Sequence, residues 1–579
     1  NVGGSGEFAA SDVASFLSGL ATSTATSGLV SGANLQFDTS NASGTVTISS
    51  VISNPNSGAN TLNVIKAGSG TLELSGANTF KGNTTVLAGT LNITGGYVGA
   101  TTGSQILYGA AAGNAIVNVS SDLTLYGTSG GNVNGAVSIY NQTAGYVSAT
   151  SGSTANTSNN IANVAGSYGM MNITGGTYRV GAGSRFALSA NSMASGVATS
   201  VLYVGGSGKL DLTGQEWMLN YSHTSITVAD SGVIDRSGAA AAFGLIMDSA
   251  QTGGVYGVLN VAGGSFLTTT QPIKFGNSTT NGSGNTAIIN LASGTLQVGT
   301  ALTASLNSGG ANLAYLNFTG GTLKFSAAAD WIPASLSGLT LVNNLYGPVT
   351  NGGTSSMPNF AGGLTVNTNG LTTTLSTAFA GAAGTGVTQA NLTISGGSGY
   401  VGAPEVVFSS AGLAPGGAPA SGYAVVSGGV VTGIVITSPG AYVSGTVPTV
   451  TLTGGGAATV VDRLGTFGVE VVPPPDAVVA KLAVKNIHIP RTRLTDLTLA
   501  GAKKEIYSAV LGELLASDHA DMVLAVVGSS AALHPQIAIE PIAEAQRGTK
   551  PLAAFLAPHA ETSLGLLQNA GVAGFRTPE

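Results

Sequence analysis

Met171-Asn172-Ile173-Thr174-Gly175-Gly176-Thr177-Tyr178 is the stretch on which the reading of this chain turns. Two apolar residues flank an asparagine, a Gly-Gly pair follows, and a threonine and another apolar residue close the phrase. It returns as Leu91-Asn92-Ile93-Thr94-Gly95-Gly96, Leu259-Asn260-Val261-Ala262-Gly263-Gly264-Ser265-Phe266, Ile289-Asn290-Leu291-Ala292-Ser293-Gly294-Thr295-Leu296 and Leu316-Asn317-Phe318-Thr319-Gly320-Gly321-Thr322-Leu323. Weaker copies surround Asn63, Asn118 and Asn141, and two more have Tyr203 and Thr227 in place of the asparagine. From Asn63 to Asn317 the copies lie 23 to 33 residues apart, about 28 on average. Self-similarity at such a period marks a repeat architecture.

Apolar and polar residues alternate within each copy, as in a half-buried strand. Gly-Gly supplies the positive φ of a tight turn. A unit of about 28 residues holds three short strands and three turns, which is one coil of a parallel β-helix. One coil cannot bury its own apolar face, whereas stacked coils bury it between them. One asparagine per coil would form a ladder of amides, each with the partner that a buried amide requires. The expected ladder is Asn63, Asn92, Asn118, Asn141, Asn172, Asn260, Asn290 and Asn317.

Composition divides the 579 residues near position 461. The first 461 hold 20 charged residues and the last 118 hold 22, and glycine falls from 79 to 9 across the same boundary. Like charges stacked at strand spacing repel, so low charge suits stacked coils. The net charge of −6 provides no basic surface for nucleic acid. With no cysteine there are no disulfides, thiolate metal sites or Cys nucleophile. No apolar run is long enough for a membrane-spanning helix.

Gly70-Thr71-Leu72-Glu73-Leu74-Ser75-Gly76-Ala77-Asn78-Thr79-Phe80-Lys81-Gly82-Asn83-Thr84-Thr85-Val86-Leu87-Ala88-Gly89-Thr90-Leu91 resembles the autotransporter-associated β-strand repeat of bacterial passenger proteins. The likeness is strong over about 62–100 and diffuse to 345. It implies a right-handed β-helix carried outside the cell or on the outer-membrane surface, with an adhesive or scaffolding role toward an extracellular polymer or cell-surface ligand. The absence of cysteine fits export in an unfolded state. No segment resembles the family's β-barrel translocator; residue 1 is Asn and no basic stretch runs into an apolar one as in a signal peptide, so the chain is expected to be a fragment at its N-terminus.

Residues 1–345 are therefore expected to be β-helix, and 346–390 weak strands or a spacer. Residues 391–461 are expected to form a small all-β module. In it Tyr423-Ala424-Val425-Val426 and Val431-Thr432-Gly433-Ile434-Val435 flank a Ser-Gly-Gly turn, a hairpin signal. Enzymatic β-helices cluster acids with Arg, Lys or calcium. The densest group here is Asp230, Asp235 and Arg236, with Asp211 and Glu216 nearby, and its Asp-Ser-Gly and Asp-Arg-Ser-Gly settings suit turns. His223 has no neighbour at ligand spacing, and Trp217 and Trp331 suit a core. No catalytic, cofactor-binding or metal-binding residue is expected.

After Val469 strand and helix signals alternate: helix 502–517, strand 522–527, a helix around Ile537–Ala543, strand 551–556, helix 561–569 and strand 572–575. This pattern predicts an α/β domain with a parallel sheet. Arg493-Leu494-Thr495-Asp496-Leu497-Thr498, Val526-Val527-Gly528-Ser529-Ser530, Lys550-Pro551-Leu552 and Ala570-Gly571-Val572-Ala573-Gly574-Phe575-Arg576-Thr577-Pro578-Glu579 resemble NDP-forming acyl-CoA synthetases of the acetate–CoA ligase type. The resemblance covers about 463–579 and implies a flavodoxin-like ligase subdomain of a cytoplasmic enzyme. The family's CoA-binding, phosphohistidine and ATP-grasp parts have no counterpart, and His488, His519, His534 and His559 match no family motif. Gly528-Ser529-Ser530 suits a tight turn better than an anion site. Since the halves imply different compartments, the join near Ala458–Asp462 is expected to be a fusion or an assembly artefact.

Overall fold

A computed structural model describes residues 1–21, 29–100, 103–150, 159–181, 185–189, 198–213, 217–219, 222–238, 245–247, 253–276, 284–306, 311–346, 362–381, 384–387, 399–455, 472–489, 503–527, 534–545, 550–556 and 560–575. Two compact units, Asn1–Gly456 and Ala457–Glu579, make up the chain.

The first unit is a parallel β-solenoid of about 15 turns. Each full coil has three strands, and each strand pairs in parallel with its counterpart one coil away. One face is an 11-stranded sheet that starts at Ala33–Asp38 and Leu62–Ala67. The other two faces merge into a 21-stranded sheet, because the 13-residue strands Tyr256–Thr268 and Thr286–Val298 run through the corner between them. We call the face carrying most of the repeated asparagines the asparagine face, and its neighbour in that sheet the third face. Inward side chains such as Leu91, Val117, Leu202, Leu259, Leu291 and Leu323 form one continuous core.

The chain opens with a helix, Ala10–Ala21, where the repeat reading expects coils. Val13, Leu17 and Leu20 recur at helical spacing and pack on the core. Asp12 accepts from the Ala9 N–H at the helix start. Within 346–390, read as weak strands or a spacer, Thr365–Asn367 pairs with Thr322–Lys324 and Ala380–Gly381 with Asn344–Leu345.

The coils are unequal. Thr71–Leu74 and Gly89–Ile93 pair with an offset of 19 residues, whereas Asn260 and Asn290 are 30 apart in register. The offset between paired strands thus varies from coil to coil. Lys66 is buried inside a short coil and its ammonium donates to the carbonyls of Ala67, Gly68 and Ala88. Desolvation lowers its pKa to about 8.

Within residues 399–455 the hairpin expected around Ser427-Gly428-Gly429 is present. Ser421–Ser427 pairs antiparallel with Val430–Ser438, and Gly428 and Gly429 take positive φ at the turn. Glu405–Phe408 pairs antiparallel with Val450–Thr453. This module packs against the asparagine face: Val401 and Ala403 meet Ile139, Met170 and Val201, while Ala418 and Val407 meet Tyr256, Val258, Ile288 and Tyr315.

The second unit contains helices Asp476–Val484, Lys504–Leu515, Pro535–Ala543 and Glu561–Asn569. Its strands Val523–Val527, Leu552–Leu556 and Ala573–Phe575 form a parallel sheet in that order. Alternating strands and helices produce this layering because a parallel connection needs a crossover. Leu511, Leu515, Ile539, Ile542 and Leu567 fill the space between helices and sheet. Arg493–Thr498, Gly528–Ser530, His559 and Arg576–Glu579 lie outside the described residues.

Candidate functional site

One column of side chains runs along the asparagine face. In register it reads Glu73, Asn92, Asn118, Asn141, Asn172, Tyr203, Thr227, Asn260, Asn290, Asn317 and Asn344. Asn118 donates through Nδ2 to Asn92 Oδ1 at 2.9 Å and Asn141 to Asn118 at 2.8 Å. Farther on, Asn290 donates to Asn260 at 2.8 Å, Asn317 to Asn290 at 2.8 Å and Asn344 to Asn317 at 3.2 Å. Asn260 closes its segment on Thr227 Oγ1. Asn172 lies in register with Asn141, but its buried Oδ1 has no hydrogen-bond partner. There Tyr203 follows in the column, and its hydroxyl turns to Asp230.

Asn63 is a correction to the expected set. It stands on the opposite sheet, opposite Asn34, and donates to Asn34 Oδ1 at 3.1 Å. Leu62–Ala67 and Thr71–Leu74 lie in the same coil, and the residue in phase with Asn92 is Glu73, which accepts from Thr47 and Thr94. Asn344, which carries no Gly-Gly after it, stands 27 residues after Asn317, in Leu341-Val342-Asn343-Asn344-Leu345.

The two ladder segments differ in cover. Asn92, Asn118 and Asn141 are half-buried, whereas Asn260, Asn290, Asn317 and Asn344 are fully buried. The hairpin makes the difference. Thr437 donates to Asn260 Oδ1 at 2.7 Å and accepts from Asn290 Nδ2 at 3.3 Å, and its carbonyl accepts from Thr319. An amide has two donor hydrogens and two acceptor lone pairs. The ladder uses one of each per rung, and the Thr437 hydroxyl meets one leftover acceptor on Asn260 and one leftover donor on Asn290. Thr437→Val is therefore expected to weaken seating of the hairpin by about 1–2 kcal/mol. Faster amide exchange in Ser421–Ser438, with exchange in the coils unchanged, checks this.

The stripe two residues before the asparagines is apolar and points outward: Ile139, Met170, Val201, Val258, Ile288 and Tyr315. Left bare it would be a long hydrophobic patch. The module covers it.

His223 does find a neighbour, 182 residues away. Its Nδ1 lies 3.9 Å from Glu405 Oε2, and the same Nδ1 accepts from the Tyr256 N–H at 3.3 Å. Glu405 is fully buried between module and solenoid and its Oε1 has no hydrogen-bond partner. Desolvation raises the carboxyl to about 8 and lowers the imidazole below its ordinary value.

The Asp/Arg group does not converge. Asp230 sits in a turn at φ +55° and accepts from the Gly206 N–H. Asp235 faces outward, pairs with Lys209 at 2.8 Å and accepts from Ser237. The next side chain, Arg236, points into the core and donates to Gln271. Strand alternation separates the two. Asp211 holds the turn at Thr213, and Glu216 lies outside the described residues. Trp331 is buried edge-on to Phe318 in the core. Trp217 starts a strand of the first face, and its side chain is outside the description. In the second unit His488 is exposed, His519 donates its N–H to Ser517, and His534 precedes a helix. Among the described residues no group of three His, Cys, Asp or Glu could hold a metal, and no helix is long and apolar enough to cross a membrane.

A family model described as passenger-associated-transport-repeat matches residues 64–93. These residues hold the short coil around Lys66 and the first phrase, at Asn92. No curated protein and no solved structure matches the chain.

Proposed function

We propose that residues 1–456 are passenger material of an exported bacterial surface protein, acting as a non-catalytic scaffold with an adhesive surface. The observation that carries this reading is the transport-repeat match lying on a coil of a parallel β-solenoid. The half-buried amides of Asn92, Asn118 and Asn141 keep donors and acceptors free toward an extracellular polymer or cell-surface ligand. The test is to place the chain between a secretion signal and a β-barrel translocator in a Gram-negative host. Protease added outside intact cells is expected to remove it, and retention inside the cell would sink the proposal. Loss of polymer binding in the triple Asn92/Asn118/Asn141→Ala chain would support the adhesive part.

For residues 463–579 we propose, on the resemblance of the four acyl-CoA-synthetase-like phrases alone, a fragment of an ATP-dependent, NDP-forming ligase joined to the first unit by fusion or misassembly. Such a piece is expected to show no turnover with acid, CoA and ATP.

A further inference from the structure

The contact between module and solenoid contains a titratable pair for which the scaffold has no use. Glu405 begins the strand Glu405–Phe408 and is fully buried. Among the described residues its carboxylate has no Lys or Arg beside it, and His223 Nδ1 at 3.9 Å is its one ion-pair contact. Val450–Thr453, its antiparallel partner, has no titratable side chain, and Ser421–Ser427 brings only Tyr423. From the solenoid, His223–Ala229 brings His223, Thr199–Val204 brings Tyr203, Tyr168–Ile173 brings Tyr168 and Tyr256–Thr268 brings Tyr256. The Tyr168 hydroxyl is committed to the Ala403 carbonyl and the Tyr203 hydroxyl to Asp230, so neither of these two serves Glu405. Burial strongly penalises a lone ionised carboxylate in this position, and the group neutralises instead. His223 cannot become the missing cation without losing the lone pair on Nδ1 that accepts the Tyr256 N–H.

We propose that Glu405 and His223 form a proton-dependent latch: the seated module keeps a proton on the Glu405 carboxyl and none on His223 Nδ1, and ionisation of Glu405 to water lifts residues 399–455 from the asparagine face. Lifting uncovers the apolar stripe at Ile139, Met170 and Ile288 together with the amides of Asn260 and Asn290, which are otherwise inaccessible.

The direction follows from proton counting. Glu405 titrates near 4.5 when free and near 8 when seated. Between those values the seated state holds the extra proton, so seating weakens as pH rises through that window and levels off above it. His223 titrates near 6.5 when free and lower when seated, so its contribution runs the other way below 6.5. The two oppose each other below 6.5 and Glu405 acts alone from 6.5 to 8.

Hydrogen-exchange protection factors on the full chain test the latch, read in Glu405–Phe408 and Ser421–Ser438 with residues 62–98 as internal reference. Protection in the module is expected to fall roughly tenfold per pH unit between pH 6.5 and 8, with the reference coils flat. Glu405→Gln, which keeps shape and is always neutral, is expected to abolish that fall. His223→Gln is expected to keep it and to continue gaining protection as pH drops from 6.5 to 5. A flat wild-type profile overturns the proposal whether or not either variant seats. So does a Glu405→Gln chain with the wild-type slope, or a wild-type fall shared equally by the reference coils.

Discussion

Asn290→Ala is expected to destabilise the solenoid by about 2–4 kcal/mol, and Asn118→Ala by about 1 kcal/mol. Both residues are rungs of the same column with one bond to each side. Burial separates them. Asn290 is fully enclosed, so its removal leaves Asn317 Nδ2 without its acceptor where no water reaches, and Thr437 loses a donor. An orphaned buried donor costs its full desolvation, whereas at half-buried Asn118 water takes the place of the lost amide. The shift in urea midpoint of the two variants, with exchange read coil by coil, checks the ratio. Equal losses would mean that the hairpin adds nothing to the ladder.

Gly294→Ala is expected to cost about 3–5 kcal/mol, from a left-handed backbone term and from overpacking. Gly294 turns the corner between the asparagine face and the third face at φ +78°. A Cβ there would lie 2.1 Å from the Gly264 carbonyl oxygen of the preceding coil. Gly284 has nearly the same φ, +77°, but nothing lies within 4 Å of its would-be Cβ. Gly284→Ala is therefore expected to cost only the backbone term, about 1–2 kcal/mol. The difference between the two midpoints isolates the price of stacking one turn on another.

Repeat phase was legible because the asparagine position is a register position. The substituted copies at Tyr203 and Thr227 fall in the column with their neighbours. Asn63 stands off the column for a reason that spacing cannot reveal: its coil is short, so a phrase of one face falls at the spacing expected of the other. The docking of the module did leave a signal. Met170-Met171, Val201-Leu202, Val258-Leu259 and Ile288-Ile289 are adjacent apolar pairs, and a strand apolar on both sides is covered on both sides. The Glu405–His223 contact left none, since 182 residues and a change of sheet separate the two. The parallel sheet of the second unit followed from element order alone, through Val523–Val527, Leu552–Leu556 and Ala573–Phe575.

The amide column also has a direction. In every rung bond the later residue donates and the earlier one accepts, from Asn118 to Asn92 through Asn344 to Asn317. Side-chain dipoles aligned in this way sum along the axis as peptide dipoles do in a helix. The segment from Asn260 therefore ends on an exposed lone pair in the electrical sense although it is sterically enclosed: Asn344 Oδ1 has no donor, because its register partner in the next coil is Ala380. The solenoid is thus a vector, with a terminus that would take a hydrogen from whatever coil is laid upon it. Ala380→Asn would extend the chain of dipoles by one rung in the only sense the column allows.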